Sequence, residues 1–76
     1  MKELVTFLAR ELVDHPDEVR VTQVEGENSI VLELRVAPGD MGKVIGRQGR
    51  VAKALRTVVK AAAPRGGKQV HLEIVD

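Results

Sequence analysis

The chain has 76 residues, a net charge of +1 and no cysteine. That length fits one domain with a modest core, since a chain of this size buries only about 60% of the surface its unfolded form exposes. Disulfides and thiolate metal sites are excluded, and His15 and His71 are too far apart in sequence for a metal site.

No stretch is apolar for long enough to span a membrane, and Met1 to Arg10 lacks the uninterrupted apolar run of a signal peptide, so a cytoplasmic protein is expected. The small net charge hides a strong segregation. Residues 1–40 hold four cations against nine acids, a balance of −5, whereas residues 41–70 hold eight cations and no acid; the last six residues return −2. A field divided in this way attracts polyanions and gives salt-dependent binding.

From Lys2 to Asp14, the residues Leu4, Val5, Leu8 and Leu12 recur at helical spacing, which predicts an amphipathic helix that His15-Pro16 ends. His15 is expected at the helix C-terminus, where its charge suits the dipole. Phe7, the one aromatic residue, is expected in the core or on a contact surface. Val19 to Val24 and Ser29 to Val36 are rich in β-branched residues and read as two half-buried strands, joined by the hairpin loop Glu25-Gly26-Glu27-Asn28. Two carboxylates on that loop would repel phosphate, so its tip is expected to lie away from any nucleic acid.

Ala37-Pro38-Gly39 breaks the second strand, and Asp40 stands at the N-cap position of a short helix through Ile45. Gly39 to Lys43 is not a P-loop, because Ala37 stands where the first glycine belongs and Val44 where a magnesium-binding hydroxyl belongs. A further helix from Arg50 to about Ala63 sets Val51, Ala54, Leu55, Val58 and Ala62 on one arc, with Arg50, Lys53, Arg56 and Lys60 on the other. The basic loop Pro64 to Lys68 precedes a third strand in which Val70, Leu72 and Ile74 alternate with polar residues. The order α-β-β-α-α-β gives an α+β fold with helices on one face of a three-stranded sheet.

The centre of the sequence is Val44-Ile45-Gly46-Arg47-Gln48-Gly49-Arg50. Glycines at both ends of the turn tolerate positive φ and keep side chains out of the way of a ligand. The helix that follows would offer amides and the positive end of its dipole to an anion, and Arg47 and Arg50 could each add a charge-assisted bond to phosphate.

With Val51 appended, this stretch resembles the Ile-Gly-x-x-Gly core of KH domains, and the similarity to small bacterial single-KH proteins of the KhpA type covers essentially the whole chain, residues 1–76. The resemblance implies a type II KH domain whose Gly-x-x-Gly turn clamps about four nucleotides of single-stranded RNA. It implies a groove between Lys43 to Lys53 on one side and Arg65 to Leu72 on the other. The candidate RNA-binding residues are Lys43, Val44, Ile45, Gly46, Arg47, Gln48, Gly49, Arg50, Lys53, Arg65, Lys68 and Val70. Val44, Ile45 and Val70 are expected on the groove floor, and with no Tyr or Trp, base recognition rests on apolar contact and backbone hydrogen bonds.

The resemblance further implies self-pairing, a KhpB/Jag-type protein partner, and a chaperone role on RNA linked to cell elongation and envelope homeostasis. No catalytic constellation is present, and neither cofactor nor metal is expected. The rival reading is a KH-fold protein-interaction module with weak or no nucleic-acid binding.

Overall fold

The computed structural model describes every residue, Met1–Asp76, in the order α1 (Lys2–Leu12), β1 (Arg20–Glu25), β2 (Ser29–Arg35), α2 (Met41–Ile45), α3 (Arg50–Ala62) and β3 (Gln69–Ile74). Single 3-10 turns occupy Pro16–Glu18, Pro38–Asp40 and Arg47–Gly49. The sheet order is β1-β2-β3; β1 and β2 are antiparallel, and β3 runs parallel to β2. A parallel pair needs a crossover. Here the crossover is α2, the Gly-x-x-Gly turn and α3, so the turn is carried between two anchored strands.

The alternation expected in β2 is observed. Leu32 and Leu34 are fully buried and Ile30 is half-buried, and the core adds Val5 and Ala9 of α1, Val21 of β1, Val44 of α2, Leu55 and Val59 of α3, and Val70 and Leu72 of β3. Every element therefore contributes to one core.

The apolar arc of α3 is wider than the part the sheet covers. Ala52, Leu55 and Val59 are buried, whereas Ala54 and Ala62 are exposed and Val58 is 41% exposed. The sequence periodicity sets the centre of that face to one side of the buried stripe, with Leu55 buried and Val51 packed on the core as expected, because a helix with a broad apolar arc does not say which part of it meets the sheet. The uncovered part, Ala54 and Val58, forms an apolar groove with Val51 and with Leu8 and Leu12 of α1.

Helix α1 stops at Leu12, two residues before the expected end, because Val13 is already extended (φ −101°, ψ 163°). His15 thus lies beyond the helix and has no place at its dipole. The backbone that leaves α1 is held instead by Asp40. Its carboxylate accepts the Asp14 amide at 3.2 Å and the His15 amide at 3.0 Å, and makes no capping bond to α2, although it occupies that position. Lys43 Nζ closes the cluster, 3.2 Å from Asp14 Oδ2 and 3.9 Å from Asp40 Oδ1.

Asp40 is 1% exposed, and removing it strands two backbone donors. Asp40→Ala is expected to lower stability by about 1.5–3 kcal/mol, the range for hydrogen bonds to a charged acceptor. Urea denaturation measures the loss.

Candidate nucleic-acid interface

The Gly-x-x-Gly turn is built from three departures from helical backbone within four residues. Gly46 ends α2 with φ 77° and ψ 171°, Gln48 has φ 58° and ψ 26°, and Gly49 has φ 73° and ψ 15°. The two glycines are not equivalent. A Cβ on Gly46 would come within 2.4 Å of Val51 Cγ2 and 2.8 Å of the Val51 backbone nitrogen, whereas a Cβ on Gly49 would meet nothing within 4 Å. Gly46 lets the chain press against the first turn of α3; Gly49 only supplies a left-handed conformation.

Gln48 adopts that left-handed conformation without being glycine, which costs about 1–2 kcal/mol relative to an ordinary helical residue. Part of its compensation is local, since Arg50 Nη2 donates to Gln48 Oε1 at 3.3 Å. Strain of this kind gathers where a ligand must be met by backbone in a fixed shape. The amides of the turn are partly engaged already: Gly49 donates to Gly46 O at 3.1 Å, and Arg50 donates to Arg47 O. The anion site expected from a full set of free helix-head amides is accordingly reduced, and more of the attraction falls to the exposed Arg47 and Arg50.

Lys53 follows Arg50 by one turn on the exposed cationic arc of α3, and Arg56 and Lys60 continue it. The structure places these last two beside β3. Arg56 Nε donates to Leu72 O at 3.1 Å, and Arg56 and Lys60 line a groove of about 480 Å³ along the free edge of β3, with Val31, His71 and Glu73. From Arg50 to Lys60 the helix advances about 15 Å. Arg56 and Lys60 were missing from the sequence-based site, although the 100° spacing that selected Lys53 selects them too. What the sequence lacked was the direction of β3 against α3.

Several expected site residues are placed elsewhere. Val44 is fully buried in the core, and its side chain is not on a groove floor; Ile45, 38% exposed, is the accessible member of that pair. Val70 is 6% exposed and belongs to the core, so it meets the groove only as part of the β3 edge. Lys43 turns toward the end of α1, into the ion pairs with Asp14 and Asp40, and away from any cluster with Arg47 and Arg50. The reason is the buried Asp40 one turn earlier, which a Lys at i+3 can reach.

The hairpin tip has a neighbour that local pattern does not show. Expected to lie away from nucleic acid, it meets the basic loop: Lys68 Nζ donates to Glu25 Oε2 at 3.1 Å, and the Gln69 amide donates to Asn28 O at 3.1 Å. Arg65, Lys68 and Lys60 surround a second concavity of about 440 Å³ next to that contact. Phe7 is 61% exposed and takes no part in the core.

A sequence model described as the KH domain of KhpA and KhpB matches residues 2–74. The chain belongs to the KhpA/KhpB KH-domain family. It is 63% identical over 75 residues to a Clostridium acetobutylicum protein named RNA-binding protein KhpA, covering 99% of this chain and all of that one. An Aquifex aeolicus protein of the same name is 54% identical over 76 residues, covering all of this chain and 96% of its own.

Among solved structures, the crystal structure of Aquifex aeolicus Era Y63A bound to GDP.AlF4- matches with a TM-score of 0.58 and 21% identity, over 97% of this chain and 30% of that one. That likeness concerns the fold. The order α-β-β-α-α-β and the mixed three-stranded sheet are those of a type II KH domain, as the sequence implied. The KhpA relatives are named as RNA-binding proteins, not as enzymes. No helix is long and apolar enough to cross a membrane.

Proposed function

We propose that this KH domain binds single-stranded RNA by clamping the backbone of about four nucleotides at Gly46-Arg47-Gln48-Gly49. The observation that carries the reading is the turn: two positive-φ glycines and a left-handed Gln48, flanked by exposed Arg47 and Arg50, at the head of a helix whose cations lead along the β3 edge. Phosphates contact Arg47, Arg50 and Lys53, and bases lie over Ile45 and the β3 edge. The names of the KhpA relatives support RNA as the polymer. Binding of labelled short RNA and matched DNA across a salt series tests this: salt-sensitive binding that favours RNA is expected, and no binding to either would overturn it.

One clamp of this size binds weakly, and two copies acting together make the second contact intramolecular. The groove between α1 and α3 is where a second copy fits. It is lined by Leu8, Leu12, Val51, Ala54, Leu55 and Val58, with Glu11 of α1 the one charged residue among them. An exposed apolar patch of this kind can be buried against the same patch of a second copy across a two-fold axis. Val58→Asp is expected to shift sedimentation from dimer to monomer; a wild-type monomer at high concentration would overturn the pairing.

By family resemblance the domain acts as an RNA chaperone with a KhpB/Jag-type partner, in post-transcriptional control linked to cell elongation and envelope homeostasis in the cytoplasm. The exposed α1/α3 groove also favours a second reading, in which the fold serves chiefly as a protein-interaction module. Undetectable RNA affinity in a protein that still self-pairs would select it.

A further inference from the structure

The cationic segment has two poles. One is the turn with Arg47 and Arg50; the other lies about 15 Å further along α3, where Lys60, Arg65 and Lys68 surround a concavity with Gln69 and His71. At the edge of the second pole, Lys68 already has a carboxylate partner. The Glu25 carboxylate reaches over from the hairpin and accepts from Lys68 Nζ at 3.1 Å, and Gln23 Nε2 donates to its other oxygen at 3.2 Å.

The arrangement is more than a chance surface pair. The hairpin tip is fixed to the basic loop by the bond from the Gln69 amide to Asn28 O, so Glu25 is delivered to Lys68 by backbone register. The hydrogen bond and charge of Lys68, with the Gln23 amide adding to them, hold the Glu25 carboxyl below the usual carboxylate range. It is therefore ionised at neutral pH. Both side chains remain partly open to solvent, Lys68 38% and Glu25 55%, which keeps the pair weak and exchangeable.

Resting on the RNA-binding reading above, we infer that Lys68, with Lys60 and Arg65, forms a second phosphate subsite, and that Glu25 is its built-in competitor, occupying the place of a phosphate until RNA displaces it. A carboxylate in a phosphate position lowers affinity for any anion that uses this subsite, the far phosphates of a strand held at the turn included, and leaves unaffected a strand too short to reach it. Glu25 thus limits the advantage of strands long enough to reach both poles over short ones held at the turn alone. The hairpin that sequence alone set apart from the nucleic acid becomes part of its selectivity.

The test compares wild type, Glu25→Gln, Lys68→Gln and the double variant, using labelled single-stranded RNA of four and of twelve nucleotides across a salt series. Glu25→Gln is expected to tighten binding of the longer RNA about two- to five-fold at low salt, the range set by an exposed ion pair. It should steepen the dependence of log K on log salt by up to about 0.7, the contribution of one more phosphate contact on a single strand.

Neither change should appear in the Lys68→Gln background. An equal gain there would assign the effect to the general field and overturn the inference, as would an unchanged affinity. If wild type binds RNA and loses it on aspartate substitution in the turn, those outcomes fall on the Glu25 inference alone. Absence of RNA binding by wild type would remove the inference together with the reading beneath it.

Discussion

Arg47→Asp combined with Gln48→Asp is expected to leave the domain folded and to weaken single-stranded RNA binding by about 30- to 150-fold, or roughly 2–3 kcal/mol. The fold should survive because neither side chain contributes to the core: both are exposed, and aspartate is among the residues that tolerate the left-handed conformation held by Gln48 (φ 58°). The affinity should fall because a charge-assisted bond from Arg47 is exchanged for repulsion, and a second carboxylate is set beside the phosphate path. Arg50 also loses its Gln48 Oε1 partner, although the new aspartate can replace it, which leaves Arg50 neutralised toward RNA. Circular dichroism checks the fold, and titration across a salt series checks affinity. A folded variant with wild-type affinity would place the RNA somewhere other than the turn.

Much of this was legible in the sequence, for identifiable reasons. Strand β2 could be read from alternation at Ile30, Leu32 and Leu34, because a two-residue period leaves little doubt about which face is buried. The turn could be read because glycines at positions 46 and 49 sit inside an acid-free segment of eight cations. What could not be read depended on contacts across the chain. The buried half of α3 was set by the sheet that it meets. The role of Asp40 was set by the amides of Asp14 and His15, 26 and 25 residues earlier, and the carboxylates of Asp14 and Asp40 engage Lys43 in ion pairs. The closeness of Glu25 to Lys68 followed from the parallel pairing of β2 with β3, which brings Ser29 beside Gln69 and so carries the hairpin to the basic loop. Each of these is a long-range consequence of topology, and local pattern carries no signal for it.

The two glycines of the motif give the sharpest separation between pattern and structure, for they look interchangeable in the sequence. Gly46→Ala is expected to lower stability by about 3–5 kcal/mol. Its backbone, with φ 77° and ψ 171°, lies in a region open essentially to glycine alone, at about 1–3 kcal/mol for another residue, and the added methyl overlaps Val51, for which overpacking adds about 1–3 kcal/mol. Gly49→Ala adds its methyl to open space and meets only the left-handed penalty, so a loss of about 1–2 kcal/mol is expected. Trimming the neighbour in Gly46→Ala with Val51→Ala should recover little, because the Val51 Cβ and backbone nitrogen, each 2.8 Å from the new carbon, remain. Urea denaturation of the three variants decides it. Equal losses at the two glycines would mean that α2 and α3 are not pressed together at Gly46, and the rigid backbone shape proposed to receive phosphate would have lost its physical basis.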